Sequence, residues 1–236
     1  MKKLSVLLFI ASTMIVTSCE KVVGEGPLVT ETRTTGSFTG IESAISGNVY
    51  YVQGNDYKVE LTAQQNILNV METPVINNKL IVRFKNNVNV KSHEQITVRV
   101  TAPSVSSIDA SGSGSLTVLS PLNATDLYFR LSGSGNVTLP AVTCNNLETI
   151  LSGSGIMSFA GGNTANEKIK LSGSGNVDAK NVQAKTVTTN TTGSGVISVS
   201  ASERLDATIT GSGSVLYWGN PIVTKNITGS GQVVHQ

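Results

Sequence analysis

The sequence predicts an all-β protein that forms a single-domain parallel β-helix, a solenoid with about 20 residues in each turn. The first observation is a Gly-Ser-Gly triplet that recurs seven times, with 21, 20, 20, 20, 18 and 18 residues between successive starts. The second is an alternation of apolar and polar residues around the triplets, which is typical of a strand with one buried face. The third is that the repeat has no helical pattern, so no second layer is predicted to cover a flat sheet.

The alternation runs through each triplet without a change of phase. Around Gly153, Leu151 and Met157 fall on the apolar face, whereas Ser152 and Ser154 fall on the other face. Both glycines of a triplet therefore fall on the apolar face, where a glycine in a strand often marks a sharp bend. We predict that each triplet is a corner of a coil. The predicted structural corner glycines are Gly112, Gly114, Gly133, Gly135, Gly153, Gly155, Gly173, Gly175, Gly193, Gly195, Gly211, Gly213, Gly229 and Gly231.

A flat antiparallel meander is the main alternative for these repeats. Seven such strands would leave one apolar face uncovered. A parallel crossover in a flat sheet usually needs about ten or more residues, and fewer than that separate one patterned stretch from the next. A chain that bends at the glycines and returns above itself needs no crossover, so the pattern favours a coil, right-handed like other parallel connections.

The segment before the repeats is predicted to be an irregular cap, because a solenoid must protect its terminal strand edges. Ile45, Gly47, Val49 and Tyr51 repeat the alternation with a single glycine. The other predicted elements of the cap are strands at 57–62, 79–84 and 96–101 and a short helix or turn at 66–71. At the opposite end, Tyr217, Trp218 and Pro221 are predicted to close the last coils. The single Trp is thus interpreted as a lid on the core rather than as a platform for a ligand.

The N-terminus resembles the signal sequence of a bacterial lipoprotein. Lys2 and Lys3 precede an apolar stretch, residues 4–16, that is too short to cross a bilayer. The sequence Val16-Thr17-Ser18-Cys19 resembles a lipobox, in which the peptide is cut before the Cys and the Cys is acylated. An ordinary secretory signal is the alternative. Because Glu20 rather than Asp follows Cys19, we expect sorting to the outer membrane, on either of its faces.

These features predict one folded domain that follows a signal peptide and a lipid-anchored linker. The predicted divisions are a signal peptide at 1–18, a lipid-anchored linker at 19–30, and a domain at 31–236 that comprises irregular turns at 31–103 and the seven repeats at 104–236.

The charge balance argues against a nucleic-acid partner. The chain has 17 basic and 15 acidic residues, and the predicted signal peptide contains two Lys and no acid, which leaves 15 of each. A nucleic-acid-binding domain usually presents a basic surface. Besides the lipidated Cys19 only Cys144 remains, so no internal disulfide is predicted.

The Ser-Gly-Ser-Gly units resemble the head GIN domain family of auto-transporter adhesins. Gly40-Ile41 and Ser46-Gly47-Asn48-Val49 add to the resemblance, as does the lipobox. It covers about residues 31–236 and implies a β-helical protein of the cell envelope.

Candidate catalytic residues are sparse. Asp126, Glu148, Lys168 and Asp206 are predicted to lie near one another on an outer face, and we interpret them as a solvated face rather than an acid-base pair. His93 and His235 lie in an irregular loop and near the C-terminus, so neither indicates a triad or a metal site. No catalytic residue, metal or cofactor is predicted.

We expect a non-catalytic, adhesin-like or scaffolding protein that is held to a membrane by its lipid and binds a glycan or an envelope or host protein. The polar side of the rod, rich in hydroxyl and Asn side chains, would suit such a ligand. Residues 86–94 are predicted to carry specificity, because loops on a rigid scaffold often carry recognition. A carbohydrate-active enzyme, such as a polysaccharide lyase or hydrolase, and a purely structural envelope protein are the alternatives.

Overall fold

The computed structural model describes residues 20–236, so the predicted signal peptide and Cys19 lie outside the described residues. The cap contains β1 Glu20–Val23, β2 Leu28–Thr34, β3 Gly40–Ser43, β4 Asn48–Gln53, β5 Lys58–Gln64, helix α1 Gln65–Leu68, β6 Met71–Glu72, β7 Val75–Ile76, β8 Lys79–Phe84, β9 Val88–Ser92 and β10 Thr97–Ala102. The repeats contain β11 Ser107–Gly112, β12 Ser115–Val118, β13 Leu122–Asn123, β14 Asp126–Gly133, β15 Asn136–Gly153, β16 Ile156–Gly173, β17 Asn176–Gly193, β18 Val196–Gly211, β19 Ser214–Trp218, β20 Ile222–Thr228 and β21 Gln232–His235.

The repeats form a parallel β-solenoid of about 6 turns, which confirms the predicted fold class. Successive long strands lie in register at the repeat interval. Leu131 pairs with Leu151, and Leu151 pairs with Leu171 in the next turn. Consecutive triplets therefore run in the same direction and stack on one another, as the twenty-residue period predicts.

The core is a column of apolar side chains that fills the inside of the coil. Along β15 the buried positions alternate with exposed or half-buried ones, with Leu147, Thr149 and Leu151 inside. Phe129 and Phe159 meet edge to face, with ring centroids 5.7 Å apart. Burial of each such Leu or Phe stabilises the fold by about 1.5–3 kcal/mol, so the stacked turns supply one another's core.

Each triplet contains a bend, and the close stacking of turns there requires glycine. The chain bends at the central Ser, as at Ser154, between strands that end at Gly153 and resume at Ile156. Gly153 has φ +122°, and a Cβ there would lie 2.3 Å from the Gly133 carbonyl oxygen. That oxygen accepts the Ser154 and Gly155 N–H groups at 3.0 and 3.1 Å. The backbone of one corner is thus hydrogen-bonded to the corner of the preceding turn.

The connection between patterned stretches is also β structure. In β15 and β16, Val142 pairs with Gly162 and Cys144 pairs with Thr164. Val142 and Val182 are fully buried on this side of the coil. The sequence pattern is weaker in this segment, since Gly161 and Gly162 interrupt the apolar alternation in one turn. The coil therefore has an additional stacked β segment between the predicted ones.

The cap contains one regular turn of the solenoid and a folded-back segment that covers the outer edge of the cap. β3 and β4 stack in parallel on β11 and β12, so the early Ile45-Gly47-Val49-Tyr51 pattern is a genuine turn. On their other side lie β8 and β10. β5 and then β2 complete this end in antiparallel pairing. The predicted cap strands are confirmed, whereas the helix is shorter than predicted and ends at Leu68.

From Glu20 onward, the segment that was predicted to be a linker contains strands. β1 pairs in parallel with β9, and β2 pairs along its whole length with β5. Residues 20–23 and 28–30 of the predicted tail are therefore strands of the head domain. Within residues 20–236, no helix has the length and apolar character to cross a bilayer.

Candidate ligand-binding groove

A change in the length of the coil creates a groove on one side of the rod. Triplets are 21 or 20 residues apart up to Gly193 and 18 apart after it. The pairing shows where the coil shortens. Three residues of β17 are skipped where Ala179 pairs with Val199 but the next pair is Gln183 with Ser200, and β18 regains one residue between Ala201 and Arg204. Lys180 to Val182 therefore have no partner on β18. These residues form an overhang, that is, they project beyond the shorter turn that contains β18.

The space beside this overhang is a groove of about 700 Å³. Ser200 Oγ donates a hydrogen bond of 2.5 Å to the Lys180 carbonyl, which the register shift leaves without a backbone partner on β18. The groove is lined by Lys180, Asn181, Gln183, Ser200, Ala201, Ser202, Trp218, Gly219 and Asn220.

A second groove of about 500 Å³ continues the first along the rod. The two share Gln183 and Ser202. The lining of the second consists of Thr143, Cys144, Asn145, Asn163, Thr164, Ala165, Gln183, Ala184, Lys185 and Ser202. The combined groove, hereafter the lateral groove, is thus lined by amide and hydroxyl groups with two lysines and no carboxylate.

Trp218 lies in the lateral groove, and its prediction as a lid on the core was wrong. Tyr217 points inward, packs against the core and lies 4.9 Å from the His235 ring, measured between ring centroids. Trp218 follows it in β19 and so points outward. The signal was present in the sequence, because Trp218 is out of phase with the inward positions Val215 and Tyr217.

The lateral groove combines an aromatic face with paired donors and acceptors. A Trp ring supplies a flat apolar surface and one N–H donor. Asn and Gln amides each donate and accept hydrogen bonds, and the lysines donate. Sites with one apolar anchor and a few placed polar groups are typical of small-molecule recognition. The chemistry suits a ligand with hydroxyl groups on a ring and, because of the lysines, an acidic group.

The sequence predicted that the outer polar side of the rod would suit a ligand. Several side chains on this side hydrogen-bond to one another instead. Asn166 Nδ2 donates to Asn146 Oδ1 at 3.0 Å, and Asn146 Nδ2 donates to Asp126 Oδ1 at 2.7 Å. Among the triplet serines, Ser212 and Ser230 are 3.4 Å apart between hydroxyl oxygens. These groups form a stacked polar exterior.

The predicted cluster of Asp126, Glu148, Lys168 and Asp206 is only partly brought together. Glu148 and Lys168 pair across adjacent strands, and Asp206 lies two strands further along the same outer row. Asp126 belongs to the neighbouring row, opposite Asn146. The predicted outer face therefore exists, but its carboxyl groups are separated.

The carboxyl groups of this face are ion-paired. A hydrogen bond from Lys170, at 3.1 Å, together with the charge of Lys168 holds the pKa of Glu148 below its usual value. Hydrogen bonds from Arg204, at 2.5 and 2.7 Å, lower the pKa of Asp206. Both carboxyl groups are thus ionised near neutral pH and do not act as proton donors there.

Of the remaining predicted residues, Cys144 lines the lateral groove and His235 contacts Gly219, which also lines it. His93 Nδ1 contacts the Glu94 carbonyl oxygen at 2.5 Å, and His235 Nε2 contacts the Gly219 carbonyl oxygen at 2.8 Å. Residues 86–94 were predicted to carry specificity. In the structure they contain β9, which pairs in parallel with β1. Burial raises the pKa of the Cys144 thiol.

One carboxyl group, that of Glu167, is buried in the coil, although the sequence pattern was interpreted only as a set of scattered carboxylates. Glu167 occupies an inward position between Leu147 and Val187, and only 2% of the residue is exposed. Neither of its carboxyl oxygens has a hydrogen-bond partner within residues 20–236. Burial raises the pKa of Glu167 to about 8. Its phase in the alternation was the available signal.

No group of three or more His, Cys, Asp or Glu side chains is arranged to hold a metal ion in the part of the chain from Glu20 to Gln236. A Cβ at any corner glycine except Gly112 would lie close to backbone atoms of the neighbouring turn, whereas one at Gly112 would meet nothing within 4 Å. None of the corner glycines lines the lateral groove.

Comparison with known proteins identifies the fold and the family of this chain. No curated protein matches the sequence. A putative adhesin from Bacteroides fragilis is 24% identical, with TM-score 0.84 over 91% of this chain and 100% of that chain. A putative adhesin from Parabacteroides distasonis is 21% identical, with TM-score 0.76 over 92% of this chain and 100% of that chain. A protein of the same species described as a putative lipid binding protein is 22% identical, with TM-score 0.75 and the same coverage.

These structures share the fold of this chain. The family model described as "Putative auto-transporter adhesin, head GIN domain" matches residues 37–221, which include the first turn of the cap, the triplets up to Gly211 and Trp218. The chain therefore belongs to the head GIN domain family.

Proposed function

We propose that this chain is a non-catalytic, adhesin-like protein of the cell envelope that binds an oligosaccharide in the lateral groove. The observation that carries the proposal is the outward Trp218 beside an amide-rich overhang, where the coil shortens by two residues. Family membership and the adhesins of the same fold support an adhesin-like role.

The proposed ligand is an acidic oligosaccharide. Trp218 would stack on a pyranose ring, while Asn181, Gln183 and Ser202 would exchange hydrogen bonds with its hydroxyl groups. Lys185 would attract a carboxylate or sulfate of the ligand, since it has no ion-pair partner within residues 20–236 and no acidic residue lines the lateral groove. Lys180, which is ion-paired with Asp178 at 3.4 Å, would add a hydrogen-bond donor.

The proposal includes a lipid anchor at Cys19 and a place in the outer membrane. The lipobox-like Val16-Thr17-Ser18-Cys19 and the following Glu20 support it. Several acyl chains together hold a protein to a membrane far more firmly than one chain does.

The proposal treats the protein as a binding module rather than an enzyme. The ion pairs of Glu148 and Asp206 support this choice, because a glycoside hydrolase needs one carboxyl group that stays protonated near neutral pH. Glu167 has the raised pKa but lies inside the coil, where a polysaccharide cannot reach it.

Glycan-array binding of the mature chain with Cys19→Ser tests the proposal. We expect binding to acidic oligosaccharides and at least a tenfold loss of affinity for Trp218→Ala, corresponding to about 1.4 kcal/mol. Tyr128→Ala is the matched control, because Tyr128 is another outward aromatic residue, on β14 and away from the lateral groove. Equal binding by both variants, or no binding to any acidic glycan, would contradict the proposal.

A further inference from the structure

The first described residues are fastened to the head domain by a parallel strand pair. Glu20 pairs with Val88 and Val22 pairs with Val90. Hydrogen bonds at both ends extend the pair, from Glu20 N to the Asn87 carbonyl at 2.8 Å and from Gly24 N to the Ser92 carbonyl at 2.7 Å. Val22 is buried in the same core cluster as the cap.

Side chains at the start of α1 and the end of β5 hold the strand from its other side. Asn66 Nδ2 donates to the Val23 carbonyl at 2.6 Å, and Asn66 Oδ1 accepts from Glu25 N at 3.1 Å. Gln64 donates to the Gly26 carbonyl at 3.3 Å and accepts from Glu94 N at 3.1 Å. Residues 20–26 are thus bound at five or more points by two other segments of the cap.

We infer that the N-terminal end of the rod docks directly on the lipid surface, without a flexible tether. The inference rests on the proposed lipidation of Cys19. Adjacent Cα atoms are about 3.8 Å apart, so acyl chains on Cys19 would start one residue from the paired Glu20. The headgroup layer must then touch the β1–β9 pair. The partner of this surface is the bilayer itself.

The outer face of the β1–β9 pair has the chemistry for lipid headgroups. Val22, Val88 and Val90 face the core, whereas Lys21 and Lys91 are exposed on the other side. Within residues 20–236 neither lysine takes part in an ion pair. Exposed lysines next to a membrane are attracted to anionic headgroups. Val23, which is 48% exposed, adds apolar surface next to the anchor.

This mounting places the Trp218 end of the lateral groove far from the membrane. The stack runs from β5 through β10, β4, β12, β15, β16, β17 and β18 to β19, which carries Trp218. At about 4.8 Å for each strand spacing, Trp218 lies roughly 38 Å from β5 along the rod. The rod would present its ligand site away from the bilayer.

Spin labels on the full lipoprotein test the inference. In a Cys144→Ala background, one label is placed at Asn89→Cys, on the outer face of β9, and another at Asn220→Cys, in the lateral groove. The protein is reconstituted in vesicles of phosphatidylethanolamine and phosphatidylglycerol that contain a nickel-chelating lipid. We expect the nickel to relax the label at position 89 at least threefold more than the label at position 220.

A tethered variant provides the matched control. A flexible Gly-Ser segment of about 20 residues is inserted between Cys19 and Glu20, which gives an average reach of about 25 Å. In this variant the relaxation of the two labels should become similar.

Flotation with the vesicles separates the two possible failures. If the protein does not float, or if Cys19→Ser floats equally well, the proposed lipid anchor fails and the inference fails with it. If the protein floats through Cys19 but position 89 is relaxed no more than in the tethered variant, β1 does not hold the domain at the membrane. In that case the inference is overturned while the lipid anchor stands.

Discussion

At the residue scale, Glu167 places a carboxyl group in the apolar interior of the coil, where burial opposes its ionisation. A buried carboxyl group without a partner strongly favours its neutral form. Burial raises the pKa of Glu167 to about 8, against a value of 4.5 for the group in the unfolded chain. Between these values the unfolded chain releases the proton while the folded chain keeps it.

The free energy of unfolding should therefore fall as the pH rises from about 4.5 to about 8, with the full stability present below pH 4.5. Each pKa unit of difference corresponds to about 1.4 kcal/mol. Glu167→Gln removes the titration, so urea unfolding should show the variant to be more stable than wild type at pH 8 and close to it at pH 4.5. Glu148→Gln is the control and should cost less than about 1 kcal/mol, because its ion pairs are exposed. A wild type and a Glu167→Gln variant with parallel pH profiles would exclude this account.

Gly173 shows why the corners require glycine. Its φ is +120°, and a Cβ would meet the Gly153 carbonyl oxygen at 2.4 Å. An unfavourable backbone conformation alone costs about 1–3 kcal/mol, and the clash adds to it. Gly173→Ala should thus lower the free energy of unfolding by at least about 3 kcal/mol in a urea titration. Gly36→Ala is the control, because a Cβ at Gly36 meets nothing within 4 Å. Equal stability of the two variants would contradict the stacking of the corners.

At the element scale, the side chain of Asn66 controls the attachment of β1. Asn66→Ala removes two hydrogen bonds to residues 23 and 25 but leaves the core strands intact. Amide hydrogen exchange in β1 and β9 should become at least fivefold faster in this variant, while exchange in β15 to β17 stays unchanged. Asn89→Ala is the control, since the exposed Asn89 side chain lies outside these contacts. Unchanged exchange in β1 would show that backbone pairing alone holds the strand.

The elements differ in how far the sequence predicts them. The stacked strands follow from local alternation and a fixed period, and both signals are repeated seven times. The pairing of β1 with β9 joins segments of four and five residues that are far apart in the chain, and such short strands leave no periodic pattern. The lateral groove was missed for a different reason. Its signals, the change from 20 to 18 residues and the outward phase of Trp218, become a concavity only when two turns are compared.

At the scale of the whole molecule, the solenoid is protected unequally along its length. The middle turns, β15 to β17, are covered by a turn on each side. In β20 the inward row contains the half-buried Val223 and Ile227 and the exposed Lys225. Stability in a repeat array comes mainly from contacts between neighbouring turns.

Amide hydrogen exchange should therefore be slowest in β15 to β17 and at least tenfold faster in β20 and β21. Replacement of Lys225 by Leu, which extends the apolar row from Ala207, should slow exchange in β20. Lys91→Leu, on the outer face of β9, is the control and should leave β20 unchanged. Uniform protection in all turns would instead indicate one all-or-none opening of the rod.

The lateral groove as the binding site is tested most directly by NMR titration of the isotope-labelled mature chain with an acidic oligosaccharide selected on the array. We predict the largest shifts at the Trp218 indole N–H and at the amides of Lys180 to Gln183, with saturation at one equivalent of ligand. Shifts confined to the outer polar side around Asn146 and Asn166, with the Trp218 indole unmoved, would contradict the assignment of the groove.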